Sequence, residues 1–291
     1  MAKDSKIEWT DHTFNPWWGC TKVSPGCKHC YAETWARRIG QEVWGPKASR
    51  RELSAASWKQ PIAWNEEAGR RKVRARVFCA SMADVFEDRR DLDDKRTQLW
   101  NVIEQTPELD WLLLTKRPQN VSKLVPWGDT WPNNVWLGAT AENQKWLDRR
   151  MNVLTQLPAR VLFLSCEPLL GPLDLGKWID GARRGLHRAI DWVIAGGESG
   201  HHARPMHPEW LTSLRDQCLA AGTKFLFKQW GNWRPVAARQ VNGYQSKTIF
   251  LSSGDSIILA NLGKKAAGRR LEGRTWDDYP SSDGAAPGPR G

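Results

Sequence analysis

Trp111-Leu112-Leu113-Leu114-Thr115-Lys116-Arg117-Pro118 is a short apolar run that stops at two cations and a proline. No polar residue alternates within it, so it reads as a strand buried on both faces, as in a parallel sheet covered by helices. The same design recurs along the chain. Val77-Phe78-Cys79-Ala80 ends in Ser81-Met82-Ala83-Asp84, and Val135-Trp136-Leu137-Gly138-Ala139 ends in Thr140-Ala141-Glu142-Asn143. Val161-Leu162-Phe163-Leu164 ends in Ser165-Cys166-Glu167-Pro168, and Trp192-Val193-Ile194-Ala195 ends in Gly196-Gly197-Glu198-Ser199-Gly200. Lys224-Phe225-Leu226-Phe227 ends in Lys228-Gln229-Trp230-Gly231, and Ile7-Glu8-Trp9-Thr10 reads as a shorter first strand. Helices are expected between them, near residues 92–105 and 145–155 and over 208–221, where Pro208 suits a first turn. This is an α/β chain. The rhythm fits a partial (β/α) TIM-like barrel, with a doubly wound open sheet as the alternative.

Each apolar run halts at a group able to bind something: Asp84, Lys116 and Arg117, Thr140 and Glu142, Glu167, Glu198, Lys228. The C-terminal ends of parallel strands form the ligand face of such folds. One polar strand end is ordinary, but a succession carrying both signs of charge points to a shared cleft.

Upstream of this rhythm lies Asn15-Pro16-Trp17-Trp18-Gly19-Cys20-Thr21-Lys22-Val23-Ser24-Pro25-Gly26-Cys27-Lys28-His29-Cys30-Tyr31-Ala32. It is a Gly- and Pro-bearing loop with cysteines spaced C-x6-C-x2-C. A helix is expected from Tyr31 to Ile39, so the last cysteine stands at a helix N-terminus, where free backbone N–H groups suit an electronegative group. Three thiolates can each hold one iron of a 4Fe-4S cluster and leave the fourth iron open. The competing reading is a structural zinc site, with His12 or His29 as fourth donor. Cys79, Cys166 and Cys218 have no ligand spacing, and Cys79 and Cys166, within or at the end of strands, read as core.

The 291 residues make one large domain or two small ones, and 40% are hydrophobic, enough for a sizeable core. No apolar run approaches the roughly 20 residues of a membrane span, and the first residues lack an apolar leader segment, so a cytoplasmic location without membrane contact is expected. Six cysteines there are ligands or core residues in preference to disulfides. A net charge of +11 and nineteen tryptophans favour a nucleic-acid partner, with bases stacked on rings. The densest basic stretch is Arg70, Arg71, Lys72 and Arg74, a phosphate-contact candidate or a solvated loop. Past residue 235 the rhythm ends. A hairpin is expected from Thr248-Ile249-Phe250-Leu251 and Ser256-Ile257-Ile258-Leu259, and Lys264, Lys265 and Arg269 follow as a basic appendage able to meet phosphate. The organisation expected is a barrel over 1–235, an appendage over 236–280 and a disordered tail over 281–291.

The cysteine stretch, together with Asp84-Val85-Phe86, Leu114 to Pro118, Trp136-Leu137-Gly138, Glu167 to Pro172, Gly196 to Gly200, Phe227 to Gly231, Gly263 to Arg269 and Leu271-Glu272-Gly273-Arg274, resembles the phage Gp37/Gp68 family, also called three-Cys-motif proteins. That family is similar to radical S-adenosylmethionine enzymes. The resemblance implies a partial barrel of the radical SAM type, a 4Fe-4S cluster on Cys20, Cys27 and Cys30, S-adenosylmethionine as cofactor, and a reducing electron donor. The usual spacing in such enzymes is C-x3-C-x2-C, and the longer first gap here is a departure. By strand order, Tyr31, Ser81 and Asp84 would meet the methionine end, Lys116 or Arg117 its carboxylate, and Glu167 and Glu198 the ribose or substrate. The function implied is a radical enzyme acting on a nucleic acid or nucleotide, in modification or repair. The alternatives are a non-enzymatic nucleic-acid-binding protein with a structural metal, and a radical enzyme that modifies a peptide or protein partner.

Overall fold

Seven strands line up side by side in their order along the chain: β1 (His12–Thr13), β4 (Ala75–Cys79), β5 (Leu109–Thr115), β6 (Val135–Thr140), β7 (Val161–Cys166), β8 (Trp192–Gly196) and β9 (Lys224–Gln229). All neighbours are parallel. The computed structural model describes residues 3–241 and 243–281. Two further short strands, β2 (Trp17–Trp18) and β3 (Arg51–Glu52), pair with each other beside the cysteine loop. The helices are α1 (Tyr31–Arg38), α2 (Ala55–Trp58), α3 (Gln60–Arg71), α4 (Asp93–Glu104), α5 (Val121–Leu124), α6 (Gln144–Leu154), α7 (Gly176–Arg183), α8 (Pro208–Ala221) and α9 (Lys264–Ala267).

The strand order never reverses. A doubly wound sheet requires a reversal, so this is the barrel-type winding. Side chains alternate along each strand. Phe78, Leu112, Trp136, Phe163, Trp192, Ile194 and Leu226 point to one face, where they form a cluster with Trp9. Val77, Cys79, Leu113, Leu137, Leu162, Leu164, Val193, Ala195, Phe225 and Phe227 point to the other and join the larger core that includes residues of α3, α4, α6, α7 and α8. The runs are apolar throughout because both faces are covered. Cys79, Cys166 and Cys218 are buried core residues, the first two as their place in strands implied.

The inner cluster establishes the curl. Trp9 lies 4.4 Å from the Phe78 ring on β4 and 6.2 Å from the Trp192 ring on β8. In a flat sheet, strands four places apart would be about 19 Å apart. The sheet therefore wraps around Trp9 as a partial barrel, with β1 and β9 at its two edges. The last described segment reaches across this gap. Phe227 donates its N–H to the Trp276 carbonyl and Asp278 donates to that of Phe225, so the segment runs beside β9. Tyr279 then donates its hydroxyl to the Glu8 carbonyl at 2.8 Å, on the β1 side.

Two sequence expectations need correction. Residues 7–10 form no strand; the first strand is His12–Thr13. Trp9 is spent on plugging the barrel, and the Thr10 hydroxyl takes the Phe78 N–H at 3.0 Å, in place of a backbone ladder bond. The expected hairpin, β11 (Ser246–Phe250) and β12 (Ser256–Asn261), gains a third strand, β10 (Trp233–Val236), paired to β12. This strand spans the boundary expected at residue 235, because buried Trp233 anchors it by donating to the Ala203 carbonyl at 2.7 Å. Of the tail expected to be disordered, residues 282–291 lie outside the described residues. Among the described residues, no helix is long and apolar enough to cross a membrane.

Gly138 faces the barrel interior, where a Cβ would stand 2.3 Å from the Phe163 ring. Gly138→Ala is therefore expected to destabilise the fold by about 1–3 kcal/mol through overpacking, read as a lower urea midpoint.

Candidate active site

The C-terminal strand ends open into a cavity of about 770 Å³, within the range of small-molecule sites. Cys20, Cys27 and Cys30 all line it, and so do Tyr31, Ser81, Asp84, Lys116, Arg117, Glu167, Glu198 and Lys264. Residues scattered over most of the chain meet there because the strand order returns each strand end to the same rim.

The loop from Cys20 to Cys27 is gripped at several points. Gly19 donates its N–H to the Met82 carbonyl beyond β4 at 2.9 Å, fixing where the loop begins. Arg117, at the end of β5, donates to the Cys20 sulfur at 3.5 Å and to the Thr21 carbonyl at 2.6 Å. Arg50 donates to the Thr21 hydroxyl at 3.0 Å, while its fork is held by Glu87 at 2.8 and 3.0 Å. Ser24 donates to Glu142, beyond β6, and Arg150 of α6 holds the other oxygen of that carboxylate at 2.7 Å. Gly26 allows this approach, since a Cβ there would lie 2.5 Å from Glu142 Oε1. Arg204 donates to the Pro25 carbonyl at 3.1 Å while it is paired to Glu198, beyond β8. The residues that make the first cysteine gap long are the ones the strand ends hold.

Two of the thiols meet hydrogen-bond donors. Cys20 has Arg117, and Cys30 stands at the start of α1 against the N–H groups of Ala32 and Glu33, whereas Cys27 lies 3.7 Å from the Ser24 hydroxyl oxygen, whose proton goes to Glu142. Burial pushes the Cys20 thiol up to about 12, with Asp84 adding to the rise, and burial raises Cys30 as well. Such thiols ionise when a metal group neutralises the thiolate charge. Three thiols match the ligand count of a cluster that leaves one iron open. Among the described residues, no three His, Cys, Asp or Glu side chains are grouped closely enough to hold a single metal ion. A mononuclear thiolate site would bring sulfurs to about 3.8 Å of one another, whereas a cluster places each on a different iron. Of the two fourth donors considered for zinc, His29 lines the cavity and His12 does not. The His12 ring stacks on Trp64 at 4.5 Å and its Nδ1 accepts the Asp4 N–H at 3.3 Å.

Among the other candidates, commitments differ. Asp84 accepts from the Thr115 hydroxyl, the Phe86 and Lys116 N–H groups and Arg117, at 2.8–3.1 Å. Its carboxylate is consumed by holding the rim. Arg117 is likewise engaged, and Glu198 accepts three bonds from Arg204. Lys116 donates from Nζ to the Thr140 hydroxyl at 3.1 Å, and no carboxylate pairs with it among the described residues. Glu167 holds Lys228 at 2.7 Å and Gln229 at 2.8 Å. Tyr31 donates its hydroxyl to the Ser81 carbonyl at 2.8 Å. The basic stretch is elsewhere. Arg70 and Arg71 end α3, Lys72 caps it, and Arg74 pairs with Asp110, all at the opposite end of β4 from the cysteines. Arg269 is paired to Asp277, and Lys265 is exposed. Glu142 was marked only by its place at a strand end, with no role given to it; Arg150, Arg204, Glu87 and Arg50 were not among the sequence candidates, because they act through pairings formed only on folding.

The chain matches the family model described as "Protein of unknown function (DUF5131)" over residues 4–280, and it belongs to that family. A comparison with curated proteins found no match. Among solved structures it is similar to a tyrosine-to-phenylalanine variant of spore photoproduct lyase, at 13% identity over 88% of this chain and 70% of that one, with a TM-score of 0.47. It is also similar to a cysteine-to-serine variant of that lyase, at 13% identity over 92% and 73%, TM-score 0.48. A third is the lyase complexed with dinucleoside spore photoproduct, at 13% identity over 88% and 70%, TM-score 0.45.

Arg117→Lys keeps a charge and loses the fork. Losing one charge-assisted bond is expected to raise amide exchange across residues 21–26 about ten- to a hundredfold in hydrogen-exchange mass spectrometry. His12 tests acid stability. Burial holds its imidazole below the ordinary value, so the unfolded chain takes up the proton first. The stability this contributes is present above about pH 6.5 and is lost as pH falls through the folded value. Urea titrations between about pH 7 and about pH 5 should show a smaller loss for His12→Gln than for the parent chain.

Proposed function

We propose that this protein is a radical S-adenosylmethionine enzyme that acts on a nucleic acid or nucleotide, with a 4Fe-4S cluster on Cys20, Cys27 and Cys30, and that its family is related to the phage Gp37/Gp68 proteins. One observation carries the reading. Three thiols face one cavity at the C-terminal strand ends of a sequentially wound half-barrel, two of them against hydrogen-bond donors. When bound, the cluster supplies the electron that cleaves the sulfonium of S-adenosylmethionine to a 5′-deoxyadenosyl radical.

The chain's own residues have distinct tasks in this reading. Asp84 keeps Arg117 directed at the loop, so these two position the ligands. Lys116 is the cation available for a carboxylate, since only a hydroxyl engages its ammonium. Glu167, with one partner on each oxygen, retains acceptor capacity for ribose hydroxyls. Tyr31 lines the cavity beside Cys30, its hydroxyl tied to the Ser81 carbonyl. The polyanionic substrate class is supported by the net charge of +11 and by Lys6, Lys116 and Lys264 on the cavity wall, none with an ion pair among the described residues.

Anaerobic reconstitution with iron and sulfide should give about four of each per chain, and reduction with S-adenosylmethionine should release 5′-deoxyadenosine. Cys27→Ser should lose both. Lys116→Ala should keep the cluster and weaken S-adenosylmethionine binding about tenfold or more, measured by calorimetry. Stoichiometric zinc with no cluster would overturn the reading.

A further inference from the structure

Helix α1, which begins at the last cysteine, presents its bulkiest apolar side chains to water. Tyr31, Trp35 and Ile39 are 56%, 43% and 44% exposed. At intervals of four residues they share one face, and Arg38, three residues after Trp35, falls on it as well. With Val23 of the cysteine loop, they are four of the nine large hydrophobics exposed among the described residues, so this face concentrates the apolar surface left open. Surface gathered in this way marks an interaction site more often than chance exposure.

The surroundings indicate what it binds. Trp35 meets the Trp18 ring edge-on at 5.0 Å, and the Arg51 guanidinium lies over Trp18 at 4.3 Å. No carboxylate pairs with Arg38 or Arg51 among the described residues, whereas neighbouring Arg37 is tied to Glu33. The stripe is continuous with the active-site cavity, because Tyr31 lies on the stripe and lines the cavity. Two aromatic rings one helical turn apart, flanked by free guanidinium groups, make a stacking platform with phosphate contacts. A stable protein interface covers about 800 Å² on each side, more than three side chains of one helix present.

We propose that this face holds a single strand of nucleic acid, with bases stacked on Tyr31 and Trp35 and phosphates on Arg38 and Arg51, and leads that strand into the cavity. The proposal rests on the nucleic-acid reading of the function and moves the contact from the basic stretch at residues 70–74 to the cysteine side of the barrel.

The test is fluorescence anisotropy with a labelled oligothymidylate of about 12 nucleotides and a duplex of the same length, across a potassium chloride series. The single strand should bind more tightly. Trp35→Ala should weaken it about tenfold, and Arg38→Ala should lower the salt slope by about 0.7. Both variants should keep the parent's melting midpoint, its iron content and its 5′-deoxyadenosine release with S-adenosylmethionine alone. Unchanged oligonucleotide binding in Arg38→Ala overturns the proposal, as does a preference for duplex. It is also overturned if Arg38→Ala spares the oligonucleotide and slows reduction by an acidic electron carrier, which would make the face a protein dock. If the parent chain binds no oligonucleotide, the nucleic-acid substrate fails with it, while the cluster assay still judges the radical chemistry separately.

Discussion

Arg117 is the joint on which the site depends. Its guanidinium holds Asp84, the Cys20 sulfur and the Thr21 carbonyl at once, and it is 7% exposed. A lysine could supply the charge but only a planar fork reaches three differently placed acceptors. The strand end below it supplies Asp84, and the loop above it supplies the cysteine, so one side chain sets the height of the loop over the barrel mouth.

The same solution is repeated around the rim. Glu142 with Arg150 and Glu87 with Arg50 are buried pairs and Glu198 with Arg204 is a part-buried one, each with one member touching the cysteine loop. Buried ion pairs contribute little net stability, because desolvation offsets most of their attraction. Their value here is positional. A loop with two glycines and a proline between residues 19 and 26 has few ways to order itself. Fixed charges at successive strand ends give it a single path and bring three thiols to one cavity. The long first cysteine gap is thereby accounted for: its extra residues are the handles for this rim.

Curl and rim are linked. The Trp9, Phe78, Phe163 and Trp192 rings pack inside the partial barrel and fix its radius, which sets how far apart opposite strand ends stand. Because the sheet stays open between β1 and β9, the mouth is less enclosed on that side, and residues 3–7 line the cavity. The aromatic stripe on α1 starts at the same mouth, so ligand loop, cavity and candidate docking face are built from one short run, residues 20–39.

Much of this was legible in the amino-acid order. Apolar runs without alternation identify parallel strands, because both faces are covered; their polar endings mark the rim; and three cysteines on a loop before a helix mark the thiols that the fold brings to one cavity. Residues 7–10 misled, because Trp9 and Thr10 look like a strand but serve as a plug and a side-chain substitute for a ladder bond. Asp84, Arg117 and Glu198 were found as rim residues, yet their bonds turn them toward the loop more than toward a ligand. The pairings of Glu142 with Ser24, Arg150 with Glu142 and Arg204 with Pro25 join residues far apart in the chain and carry no local pattern. Local physics, burial periodicity and cysteine spacing, is written along the chain and determined the parallel strands, the polar rim and the three thiols, while the choice of barrel over doubly wound sheet came only with the strand order. Which charges neutralise one another and which remain free was decided only by the tertiary structure, because curling the sheet around Trp9 brings those strand ends together.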